Sequence, residues 1–170
     1  MNESGPIDPI VRVYVAIYIG YYHARQAIQK ISDSIDSGTD TDDCQELFEI
    51  VSLNQKQRDQ LERVEVLLKQ FVDRTYPDFD LKSREGEAIA ISFWMKRLQE
   101  YINEECKPWE LCRMIGPIED LYQFPEWLGD MYNSCDWVEP NTDRNDFEHL
   151  YKDCKRLLSE IKDISHPELY

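Results

Sequence analysis

Arg144-Asn-Asp-Phe-Glu-His149-Leu-Tyr151 is the stretch whose residue types could do chemistry. Histidine exchanges a proton near neutral pH, and a guanidinium five positions before it can hold negative charge developing on a reacting group. Asn145 and Tyr151 add polar groups beside them. A metal would need more than this. Asp146-x-x-His149 has the spacing of half a carboxylate–histidine site, but no second copy stands elsewhere in the chain. Asp36 to Asp43 has the composition of a calcium loop. Aligning Gly38 with the glycine such a loop requires puts Ile35 and Cys44 where oxygen ligands belong. Cys106 and Cys112, with five residues between them, are too far apart for the usual zinc pair. There is no glycine-rich phosphate loop and no G-x-S-x-G. Neither metal nor cofactor is expected.

R-N-x-x-x-H-x-Y, the pattern of Arg144 to Tyr151, resembles the signature of the HEPN ribonucleases, which are compact all-helical domains. The resemblance covers these eight residues. It implies metal-independent RNA cleavage, usually in a cleft between two subunits. Arg144 and His149 would be catalytic, the arginine on phosphorane-like charge, with Asn145 and Tyr151 supporting them. In that family apolar helix leads into the arginine, whereas here Val138 to Asp143 reads as loop. Asp143, Asp146 and Glu148 would also repel RNA phosphates. A structural reading stands beside the catalytic one. Thr142 or Asp143 caps a helix, Arg144 is solvated, and His149 lies beside the core.

A second constellation is defined by charge. The chain of 170 residues has a formal net charge of −15, and two runs hold almost all of the excess. Between Lys30 and Lys56 stand seven acids and no base: Asp33, Asp36, Asp40, Asp42, Asp43, Glu46 and Glu49. Between Arg113 and Arg144 there are again seven and no base. Outside these runs, 20 acids face 19 basic residues. Within the later run, Ile118 to Val138 interleaves Tyr122, Phe124, Trp127, Tyr132 and Trp137 with five acids. Aromatic residues anchor interfaces, and a surrounding field of one sign sets on-rate and partner choice. The competing reading makes the aromatics core and the acids a solvated face. A solvated face, however, usually mixes signs.

These residues must be positioned by helices. Pro9 to Ile35 reads as one long central helix, uncharged between Arg12 and His23 and one-sided from Ala24 to Ile35. Asp8 is its expected cap, and His23 its hydrogen-bonded core histidine. The uncharged run is about half the ~20 residues a membrane span needs. Acids Glu3 and Asp8 precede it where a signal peptide places bases, so neither is expected. Further helices follow from Leu47 to Val51, from Gln55 to Arg74, from Ser83 to about Glu105 and from Asp143 to Ile164, with short Pro-broken helices between the last two. On the fourth of these main helices Ala88, Ile91, Trp94, Met95, Leu98, Tyr101 and Ile102 read as the buried face, with Lys96, Arg97 and Glu100 in water. The prediction is an all-α single domain over 1–170, an irregular bundle of about five main helices around the N-terminal one. Flexible ends are expected at 1–7 and 165–170.

Five cysteines, Cys44, Cys106, Cys112, Cys135 and Cys154, make an odd set with no C-x-x-C. They predict reduced thiols and a cytoplasmic protein. The expected function is that of a protein-binding module, an inhibitor or immunity protein that neutralises a basic toxin or nuclease. It would touch neither nucleic acid nor membrane directly. The expected contact residues are Tyr122, Glu126, Trp127, Asp130, Tyr132, Asp136 and Trp137, with Trp127 as the anchor. The acids from Asp33 to Glu49 form a second candidate patch.

Overall fold

Asp8 and Pro9 begin the first helix as their chemistry requires. Asp8 Oδ1 accepts the Ile10 N–H at 2.7 Å. Pro9, with no N–H to leave unsatisfied, takes the first helical position. The structure, a computed structural model, describes residues 8–37, 44–53 and 60–164. Its helices are α1 (Pro9–Tyr18), α2 (Ala24–Asp36), α3 (Gln45–Ser52), α4 (Gln60–Thr75), α5 (Arg84–Ile102), α6 (Pro108–Cys112), α7 (Ile115–Tyr122), α8 (Met131–Ser134) and α9 (Glu148–Ile164). Two 3₁₀ turns, Glu126–Leu128 and Arg144–Phe147, complete the set. The fold is all-α. Among the described residues there is no strand, and no helix is long and apolar enough to cross a membrane. The expected flexible ends and the residues from Gly38 to Asp43 lie outside the described residues.

The chain groups into two compact units, residues 1–80 and 81–170. In the first, α1 packs on α2 and α4, and α3 on α4. Helix α1 is buried on nearly every side, from Ile10 through Ile17 apart from half-buried Arg12. The single helix expected from Pro9 to Ile35 is two helices. Gly20 adopts φ 73°. Its N–H donates to Ile17 O at 2.9 Å, and the Tyr21 N–H reaches Ala16 O at 2.8 Å. This is the Schellman termination, in which a left-handed residue closes the last carbonyls, and glycine takes that conformation without a Cβ penalty. Helix α2 then starts afresh. His23, expected in the core, is exposed at its N-cap, with its N–H donating to Gln26 Oε1 at 3.0 Å.

In the second unit, α5 and α9 pack along one another. Ser83 Oγ caps α5 by accepting the Gly86 N–H at 3.1 Å. Trp94, Leu98 and Tyr101 are buried as the helical spacing predicts. Ile91, Met95 and Ile102 are only half-buried, while Ile89, Ala90, Phe93 and Arg97 are inside. The face differs because α5 is covered by α9 on one side and by α6 on another. Arg97, expected in water, is buried and paired with Glu100 at 3.3 Å. On α9, Leu150, Cys154, Leu157, Leu158 and Ile161 form the core stripe.

The cysteines correct a second expectation. Cys112 and Cys135 form a disulfide, 23 residues apart. Cys44 and Cys154 are buried free thiols and Cys106 a half-buried one. Burial pushes the Cys154 thiol up to about 12 and raises that of Cys106 against the pull of Arg97. Thiols so held are poor nucleophiles.

Candidate functional site

The segment from Ile118 to Val138 is sorted by the fold into an inward and an outward set. Trp127 is inward, 7% exposed. Its indole N–H donates to Glu87 Oε1 at 2.8 Å, and its ring meets Tyr122 edge-on at 5.8 Å. Tyr122, half-buried, donates its hydroxyl to Leu81 O at 2.9 Å. Ile118, Leu128, Met131 and Val138 are buried with them. Gly129, at φ 60°, lets the backbone close on α9, since a Cβ there would stand 2.8 Å from Leu157 Cδ1. Ser134 Oγ donates to Asp153 Oδ2 at 2.8 Å. Trp127 is therefore not the exposed anchor expected from the sequence. It is the residue on which the segment is mounted.

The outward set contains the other aromatics. Trp137 is 85% exposed, Phe124 75% and Tyr132 60%. Three large exposed rings within one short segment make it a candidate interaction surface. Two of the three sit on strained backbone. Phe124 has φ 56° after Gln123 at φ 57°, and Trp137 has φ 70°. A non-glycine residue in the left-handed region costs about 1–3 kcal/mol, and such residues concentrate at functional sites. Trp137 is third in a turn closed by Val138 N–H to Cys135 O at 3.1 Å, a place where glycine is the usual residue. The disulfide pins the first residue of that turn, and burial of Val138 pins the last.

The two acidic runs differ once folded. Glu46 pairs with Arg74 at 2.7 Å and Glu49 with Arg63, so α4 neutralises part of the earlier run. The hydrogen bond from Arg74 lowers the Glu46 carboxyl below its usual range. Asp33 and Asp36 are exposed, and Asp33 accepts from Gln29 at 2.8 Å. Asp40, Asp42 and Asp43 lie outside the described residues. In the later run Glu126, Asp130 and Asp136 are exposed and, among the described residues, have no ion-pair partner. Their field is open to solvent. At a significant level the chain matches no family model, no curated protein and no solved structure.

Arg144 and His149 take separate environments. The Arg144 guanidinium lies 4.2 Å from the Tyr101 ring centroid and 5.7 Å from that of Tyr151. Its two terminal nitrogens are buried without a hydrogen-bond partner, so it is not the solvated arginine of the structural reading. It borders a cleft of about 690 Å³ whose wall includes Glu104, Glu105, Glu110 and Asp143 against Lys107. Those carboxylates disfavour a phosphate there. His149 is exposed, with Nε2 3.1 Å from Ser134 O and its ring against Phe147. No hydrogen bond or ring contact joins it to Arg144. Asp143 Oδ1 caps the turn through the Asn145 N–H at 2.8 Å, and Asn145 is exposed. Arg144 packs; that role has a measurable consequence. Arg144→Ala should cost about 1–2 kcal/mol through the lost stacking and stem contacts. Arg144→Met, which keeps the stem and removes the unpaired nitrogens, should change stability by less than ~1 kcal/mol. Urea unfolding of the two variants checks this, and equal losses in both would refute it.

Proposed function

We propose that this chain is an acidic, helical protein-binding module that inhibits a basic protein partner, in the manner of an immunity protein acting on a toxin or nuclease. It docks through the outward face of Ile118 to Val138. Trp137 carries this reading: a large apolar ring, almost wholly in solvent, held on left-handed backbone beside unpaired carboxylates. Holding a ring in that position opposes stability, and a partner that covers it repays the cost. Glu126, Asp130 and Asp136 supply the field that draws in a basic surface, and Tyr132 and Phe124 are the other exposed rings of the segment. The acids from Asp33 to Glu49 rank second, because Glu46 and Glu49 already have internal cations.

The test begins with the partner recovered by affinity purification from the native host and identified by mass spectrometry. Glu126→Lys, Asp130→Lys and Asp136→Lys together should slow association about tenfold or more at low salt and flatten its salt dependence. Trp137→Ala should mainly speed dissociation, weakening binding by about 2 kcal/mol or more, roughly thirtyfold. Its thermal stability should stay within ~0.5 kcal/mol of the parent. Unchanged association in the triple variant and unchanged dissociation in Trp137→Ala would move the interface elsewhere. Metal-independent cleavage of single-stranded RNA, lost in His149→Ala, would replace the docking reading by the ribonuclease one.

A further inference from the structure

The Cys112–Cys135 bond closes a loop around most of the docking segment, and its placement gives it more than a structural role. Cys112 ends α6, and Cys135 opens the turn that presents Trp137. Both cysteines of the bond are half-buried rather than buried, unlike the free thiols Cys44 and Cys154. The rest of the segment is held by contacts that do not involve sulfur: Trp127 to Glu87, Tyr122 to Leu81, Ser134 to Asp153 and the close approach of Gly129 to Leu157. Removing the bond therefore leaves the segment mounted but frees one end of the Cys135–Val138 turn. In that turn Trp137 holds φ 70°, a conformation that must be imposed by its surroundings.

We propose that the Cys112–Cys135 disulfide is a redox-operated clamp on the docking surface: oxidised, it holds Trp137 displayed, and reduction lets the turn relax. The proposal rests on the docking reading for its purpose but not for its mechanics. The reductant is a dithiol of the thioredoxin class. Its thiolate attacks one sulfur, forming a mixed disulfide and expelling the other cysteine as a thiolate. The second thiol of the reductant then releases the first cysteine. Two electrons and two protons pass to Cys112 and Cys135, and the reductant leaves as a disulfide. A disulfide that a cellular dithiol can open is a sensing bond rather than a purely structural one.

Hydrogen exchange of the full chain, followed by mass spectrometry, tests the clamp without any partner. Samples are the oxidised protein, the protein reduced by thioredoxin without denaturant, and the Cys112→Ser, Cys135→Ser double variant. Alkylation confirms two additional free thiols after reduction. The expected result is at least tenfold faster exchange for amides in 132–138 in both the reduced protein and the variant, with α5 unchanged. Three results overturn the proposal: a bond that thioredoxin cannot reduce in the native protein, unchanged exchange in the turn, or faster exchange throughout α5 as well. Because no partner enters the measurement, failure here leaves the docking reading to stand or fall on Trp137→Ala.

Discussion

Trp127→Ala is expected to cost about 3–5 kcal/mol of stability and to lower Tm by roughly 6–20 °C. The indole is 7% exposed and packs edge-on to Tyr122, so its removal leaves a large cavity beneath the segment. The loss should spread. Without the ring and its hydrogen bond to Glu87, the mounting between α7 and α8 weakens, and amides from Glu126 to Ser134 should exchange faster. Trp127→Phe separates the contributions. It restores most of the apolar contact and forfeits the hydrogen bond to the Glu87 carboxylate, for which about 1.5–3 kcal/mol is the ordinary value. Differential scanning calorimetry and urea titration measure both variants. A normal melt for Trp127→Ala with impaired partner binding would return Trp127 to the surface and make it the anchor. Trp137→Ala, by contrast, is expected to melt like the parent. Two tryptophans ten residues apart in one acidic segment should fail in opposite ways.

Ile17→Asp should unfold the first unit, with a cost exceeding about 4 kcal/mol. Ile17 is 3% exposed in α1, whose apolar faces are covered by α2 and α4. A carboxylate there exchanges water for hydrocarbon with no cation built to receive it. The expected readout is a loss of helical circular dichroism, or of cooperativity in its melt. Ile17→Val, a small cavity at the same place, should cost only about 0.5–1.5 kcal/mol. The sign of the pH dependence follows from burial. The new carboxyl would have its folded pKa raised above the ~3.9 of the unfolded chain, so folded molecules bind the proton more tightly. Stability of the variant should therefore rise as pH falls through the raised value towards ~4, and the defect should be full above it. A variant that melts like the parent at neutral pH would remove α1 from the core.

Helical spacing was legible in most of the chain because it is a local property, α5 excepted. Apolar residues three and four apart share a face whatever lies elsewhere, and that spacing picks out Leu61, Val64, Leu67, Leu68, Phe71 and Val72 near α4 and Phe147, Leu150, Tyr151, Cys154, Leu157, Leu158 and Ile161 near α9. All are buried except Leu61 and Tyr151, which are exposed, and Phe147, which is half-buried. The Asp8 cap was legible for the same reason. Gly20 was legible but easily passed over, since the apolar run continues across it while the backbone ends the helix there. The extent of acid and aromatic enrichment in Ile118 to Val138 was likewise evident from the sequence.

What only the tertiary structure decided is which of those residues face inward. Trp127 and Trp137 have the same side chain and the same kind of acidic neighbours, and no period distinguishes positions in short helices broken by Pro125. Trp127 is inside because Glu87 on α5 supplies an acceptor, and because Gly129 allows the chain to settle on Leu157. Arg144 is drawn inward by Tyr101, far back along the chain, and Arg97 is buried with Glu100 as its ion-pair partner, neither by its own hydrophobicity. The Cys112–Cys135 pairing is of the same kind. Local order is specified by neighbours in sequence, whereas burial and cross-linking are specified by neighbours in space, which the chain acquires only when it closes on itself.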